Sequence, residues 1–169
     1  MTAMTRDVRP GRGTLSRLCP CGSGRSYREC CAPYHLGDRE APDAVSLMRS
    51  RYAAFAVGDA VYLWNTLHMG HTDRGRDREV VVRELKATIH QHRYRGLKIL
   101  DSRESGSSAS VLFLAKIFEE GADRSFVELS DFLHDGEGWR YLHGVAVPRA
   151  RVGAAPEGLT IPTFSSLVR

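Results

Sequence analysis

"EVVVRELKATIHQHRYRGLKILDSRES", residues 79–105, changes its hydrophobic period part-way along. Up to His92, the residues Val81, Leu85 and Ile89 recur every four positions, the spacing that gives a helix one apolar face. From Gly96 the chain is of β type. The runs that follow, 108–120, 125–135 and 138–147, are also β-like and are separated by turns at Gly106, Gly121 and Gly136 to Gly138. Turns this short join antiparallel neighbours. The switch therefore divides the chain into a helical part and a four-stranded antiparallel part.

Two more helices precede the switch. In "AVSLMRSRYAAFAVG", residues 44–58, Asp43 is placed as the N-cap and Gly58 as the stop, with Val45, Met48, Tyr52 and Phe55 on one stripe. Asp59 can cap a second helix, "AVYLWNTLH", ending before Gly70. The charged stretch 71–78 is a loop. Three helices followed by four strands make an α+β domain over residues 43–148, with the helices laid on one face of the sheet. Residues 149–169 read as a C-terminal tail, and residues 1–17, rich in Gly, Pro, Thr and Arg, as a disordered leader.

All four cysteines fall in "RLCPCGSGRSYRECCAPYHLG", residues 17–37, and define a small module over residues 18–36. The spacing C-x-C-x8-C-C, formed by Cys19, Cys21, Cys30 and Cys31, can close four thiolates around a zinc ion, with iron as the other metal such a set accepts. Gly22 and Gly24 allow a tight turn beneath the first pair, and Ser23 or Ser26 can cap a helical turn that delivers the second. Disulfides fit poorly, because a bridge between adjacent cysteines is strained and nothing in the sequence marks an export signal or a membrane span. A cytoplasmic protein is expected.

The net charge of +4 also has an address. Six arginines (Arg6, Arg9, Arg12, Arg17, Arg25 and Arg28) stand against Asp7 and Glu29 before Ala32, and the rest of the chain is balanced. Arg25 and Arg28 are near enough in sequence to offset the charge of a tetrathiolate centre. No pattern for sequence-specific nucleic-acid reading is present.

"CPCGSGRSYRECC" resembles the SEC-C motif, a metal-binding segment found at the C-terminus of the preprotein translocase motor SecA. In many copies of the motif the last ligand is a histidine, where this chain has Cys31. "CCAPYHLG", "APD" and "LMRSRYAAFAVGDAVYLWNTLH" extend the resemblance to the YchJ family, over about residues 18 to 148. The resemblance implies a middle domain of the nuclear transport factor 2-like, or cystatin-like, kind. It also implies zinc in the module, and a protein partner such as the ribosome, a nascent chain or the export machinery. By the same resemblance, a homodimer formed through the sheet and a cone-shaped cavity between helices and sheet are expected, since both are common in this fold. Family members often carry a second SEC-C motif, and no cysteine follows Cys31 here.

For a small-molecule or enzymatic role in such a cavity, the candidate is Glu128, on a strand face with Phe126, Ser130 and Phe132, together with His143 on the next strand. Tyr141 and Trp139 share the His143 face if alternation holds. Either Arg49 or Arg51 is placed to pair with a buried acid such as Glu128. No nucleophile, base and orienting group occur together, so the expected role is a metal-stabilised interaction module and not an enzyme.

Overall fold

Three of the helices start on a carboxylate. The Asp43 side chain accepts the Ser46 amide at 2.7 Å, Asp59 that of Tyr62 at 2.9 Å and Asp77 that of Val80 at 3.0 Å, pinning the first turns of three helices. Gly58 ends the first of them with a left-handed φ of 86°, the conformation expected of a helix-stopping glycine.

The computed structural model describes residues 17–169. The leader expected over 1–17 thus lies, but for Arg17, outside the described residues. In chain order the helices are α1 (Ala32–His35), α2 (Ala44–Val57), α3 (Ala60–Asn65), α4 (Arg78–Gln91) and, at the C-terminus, α5 (Ile161–Leu167). The strands are β1 (Arg93–Ser105), β2 (Ser108–Glu119), β3 (Ala122–Asp123), β4 (Phe126–His134) and β5 (Trp139–Pro148). They form one antiparallel sheet in the order β1-β2-β4-β5. The sheet has five strands where four are expected, because the two residues of β3 fold back onto Phe118 and Glu119 at the end of β2.

Helix α3 is shorter than its apolar run suggests. Leu67 leaves the helix to make a bridge with Tyr141, whose amide donates to the Thr66 carbonyl at 2.9 Å while its carbonyl accepts the His68 amide at 2.8 Å. Pairing with the sheet wins over one more helical turn.

Met48 and Tyr52 of α2 pack with Phe113, Ala115, Phe132 and Trp139 on one face of the sheet. Helix α2 nevertheless shows no clean apolar stripe, since Leu47, Ser50, Arg51, Ala53 and Ala54 are buried as well. It is the central helix, covered by the sheet, by α3 and by the cysteine module, so most of its circumference is inside. Strand β2 is central in the same sense. Val111 to Ala115 are buried without alternation, because both faces of the sheet are covered.

The second face is covered by the residues that sequence alone leaves as a tail. Leu112, Leu114 and Val127 pack with Val152, Ile161 and Phe164, the last 0% exposed. Thr160 and Thr163 form a capping box at the start of α5, and the Ile161 amide donates to Asp101 Oδ2 at 2.8 Å, fixing the segment to β1.

Bulges bend the sheet. Register shifts occur around Arg95, Leu100 and Leu142, where one strand carries an extra residue. Beyond Leu142 the alternation of β5 is reversed.

If the C-terminal segment is part of the core, Phe164→Ala should destabilise the protein by about 3–5 kcal/mol, the ordinary cost of emptying a fully buried aromatic site. Denaturant unfolding measures this. A loss under about 0.5 kcal/mol would mark the segment as an appendage.

Candidate metal centre and cavity

The cysteine module is built as a knuckle closed by backbone bonds. Leu18 pairs with Ser26, the Cys19 amide donates to the Arg25 carbonyl at 2.8 Å, and the Tyr27 amide to that of Arg17 at 2.8 Å. Gly22 is required twice over. Its φ is +78°, and a Cβ there would stand 2.9 Å from the Leu97 carbonyl oxygen. A 3-10 turn from Tyr27 to Glu29 then carries the chain to Cys30 and Cys31. Ser26 precedes that turn but makes no cap; its hydroxyl bonds Glu29 at 2.8 Å, while Ser23 Oγ lies 3.2 Å from Cys30 Sγ.

The result brings all four sulfurs within 4.8 Å of one another, with Cys21 to Cys30 at 3.5 Å and Cys30 to Cys31 at 3.8 Å. Sulfurs bound about 2.3 Å from one central ion in a tetrahedron stand ~3.8 Å apart, so the set has the size of a tetrathiolate site. All four cysteines are buried and none is in a disulfide. Without a cation the thiols titrate against each other. Cys31 is pushed up by hydrogen bonds shared with Cys19 and Cys21, and Cys19 is pushed up to about 12, chiefly by its bond with Cys21. A divalent ion removes that conflict by compensating several thiolates at once.

The module is anchored on α2. Arg49 Nη1 donates to the Cys21 carbonyl at 2.7 Å, placing a guanidinium beside the sulfur cluster that the spacing in sequence does not suggest. Arg25 instead turns to the Glu29 carbonyl. His35 joins the two units directly: its Nε2 donates to the Ser50 carbonyl at 2.7 Å, which leaves Nδ1 to accept the Tyr27 hydroxyl at 2.6 Å. Burial pushes His35 below the ordinary imidazole range, in keeping with a neutral ring.

On the sheet side of α2 lies a cavity of about 340 Å³, walled by Met48, Tyr52, Phe55, Leu85, Phe113 and Phe126, with Arg51, Glu128 and Tyr141 also in its lining. Glu128 sits on the cavity face as its strand alternation requires. Its Oε1 accepts from Ser130 Oγ at 2.6 Å and from the Tyr141 hydroxyl at 3.0 Å. Burial, and then the Glu128 charge, push the Tyr141 phenol up, so it remains a donor. His143 is elsewhere. The extra residue at Leu142 puts Tyr141 opposite Phe132 but His143 opposite Asp131, on the other face, where its side chain is 63% exposed. The candidate pair Glu128 and His143 therefore does not converge, because a bulge breaks the alternation on which that grouping rests.

Of the two helix arginines, Arg51 turns inward. It is 6% exposed, donates from Nη1 to the Leu63 carbonyl at 2.8 Å and to Thr66 Oγ1 at 2.6 Å, and lies 4.6 Å above the Tyr141 ring. Arg51 and Glu128 form no ion pair.

Comparison with known proteins accords with this architecture. The family model for the YchJ middle domain, nuclear transport factor 2-like, matches residues 43–144, and that for the SEC-C motif matches residues 18–33. A UPF0225 protein of Enterobacter sp. (strain 638) is 34% identical over 146 residues, covering 85% of this chain and 93% of that protein. The solution structure of a SEC-C motif containing protein from Rhodopseudomonas palustris superposes with a TM-score of 0.66 at 34% identity, over 76% of this chain and 98% of that one. The crystal structure of another, from Psychrobacter arcticus, shares the fold at a TM-score of 0.65 and 23% identity, covering 77% and 82%.

His35 supplies a measurable pH signature. The unfolded chain takes up the imidazole proton near pH 6.5 and the folded chain only at lower pH, so the stability that the neutral ring contributes is present above that value and lost as pH falls. In His35→Gln this component is absent. The wild-type advantage in unfolding free energy should shrink from pH 7.5 to pH 5.5; an advantage that holds constant or grows on acidification contradicts the neutral bridge.

Proposed function

This chain belongs to the YchJ family, with an SEC-C motif ahead of the family's nuclear transport factor 2-like middle domain, and from that premise we propose that it is a zinc-binding interaction protein of the cytoplasm. The four-sulfur cluster carries the reading. A set of four buried cysteines leaves no open coordination position, so bound zinc supplies folding energy and local rigidity there rather than catalysis. A module of about twenty residues has too little apolar surface to fold alone, and metal ligation makes up the difference.

The docking role rests on what the module leaves exposed. Leu18 is 72% exposed, and Arg17, Arg25 and Arg28 are exposed in the same stretch. An exposed apolar side chain and three exposed arginines on one small module suit an acidic partner surface. The candidates are the ribosome, a nascent chain or the export machinery. No described helix is long and apolar enough to cross a membrane, so contact with such machinery would be peripheral.

Elemental analysis of protein purified without added metal should give one zinc per chain, and Cys30→Ser should lose it. The variant should also unfold at lower temperature while keeping its sheet, since the module covers one side of α2 but the sheet core has its own packing. Freely titrating thiols in native protein with no stoichiometric metal would end the proposal.

Docking has its own measurement in co-sedimentation with ribosomes at low and high salt. The expected result is binding that weakens as salt rises and is largely lost in an Arg25→Glu, Arg28→Glu double variant that retains its metal, because exposed charge attraction is screened over about 8 Å at physiological ionic strength. Wild-type protein that never co-sediments, or a double variant that binds equally well, would rule out this surface for ribosome docking.

A further inference from the structure

The cavity beneath α2 contains two charged groups whose bonding is incomplete. Arg51 spends one nitrogen, Nη1, on Leu63 and Thr66, while its Nε and Nη2 have no hydrogen-bond partner among the described residues. Neither is among the fully enclosed polar atoms that lack a partner, and Arg51 lines the cavity, so these donors keep access to that space. Glu128 is the counterpart. Both of its bonds fall on Oε1, which leaves Oε2 as an acceptor without a partner among the described residues. The site makes room for this carboxylate, since a Cβ at Gly144 would collide with it.

We propose that this cavity binds a small, uncharged, largely apolar molecule whose head carries one hydrogen-bond acceptor and one donor, of the carboxamide or lactam type. The acceptor meets the free Arg51 donors and the donor meets Glu128 Oε2. Charge balance selects the head. Of the two carboxylates in the lining, Asp73 is paired with Arg76, so Arg51 and Glu128 are the cation and carboxylate that face the apolar space without touching, and a carboxylate or ammonium on the ligand would add a net charge there that burial penalises. A neutral head satisfies both and adds none. The walls select the body: Met48, Phe55, Leu85, Phe113 and Phe126 offer apolar and aromatic contact, and about 340 Å³ is at the small end of ligand sites. This reading is independent of the metal centre.

The test uses the full-length, metal-loaded protein and a matched pair of probes, 4-phenylbutanamide and 4-phenylbutanoate, which differ only in the head. Calorimetric or NMR titration should show the amide binding at least about tenfold more tightly than the carboxylate. Glu128→Gln removes the competing negative charge, so the carboxylate should gain on the amide in that variant. Thr88→Trp closes the cavity from an exposed, lining position on α4 and should abolish binding of both probes without lowering the unfolding midpoint. Failure of the amide to bind, equal or tighter binding of the carboxylate to wild type, or unchanged binding in Thr88→Trp would each overturn the proposal. If Glu128→Gln fails to fold, the wild-type probe ratio and the Thr88 variant still decide.

Discussion

Covering α2 on nearly every side is the constraint from which the architecture follows. A helix of 14 residues with eight of them buried cannot be satisfied by one sheet. Met48 and Tyr52 take the sheet, Ala54 takes Tyr62 and Leu63 of α3, and Ala53 takes the cysteine module. Ala53 and Ala54 are both 0% exposed, and only side chains this small let three neighbours approach one helix so closely. Polar groups on the same helix then act as fasteners. Arg49 and the Ser50 carbonyl tie the module down, and Arg51 holds the end of α3.

The metal module is consequently more than an appendage in physical terms. Its sulfur cluster packs in one apolar group with Tyr27, Ala32 and Ala53, so the knuckle also completes the cover of the central helix. Short backbone bonds, such as Cys19 to Arg25, tie the exposed edge bearing Leu18 and Arg25 to the sulfur cluster.

Behind α2, the cavity shows what happens where coverage stops. The bulge at Leu142 keeps Tyr141 over the cavity while sending His143 to the opposite face, so a hydroxyl and a carboxylate meet where alternation alone would have added an imidazole. Arg51 completes the polar corner through its stack on the Tyr141 ring. Bending of the sheet at three bulges and the short α3 leave this end of the interlayer space unfilled by side chains.

What the sequence determined by itself is local. The C-x-C-x8-C-C spacing, the aspartates before three helices, Gly58 and the change of period near residue 93 act within one or two turns of chain, so they can be read without knowing what packs where. The grouping of Glu128 with Phe126 on one strand face belongs here too, because no bulge interrupts β4 on its Phe126 side. Other features depend on contacts between residues far apart in sequence. Arg49 reaches Cys21 across 28 positions, and Ile161 reaches Asp101 across 60. Arg51 and Arg49 look alike on the helix, and only the arrival of Leu63 and Thr66 makes one a buried group and the other a surface clasp. The Leu142 bulge has no composition of its own; it sits where β5 pairs with β4 on one side and Tyr141 bridges Leu67 on the other, and that double pairing exists only once the chain is folded.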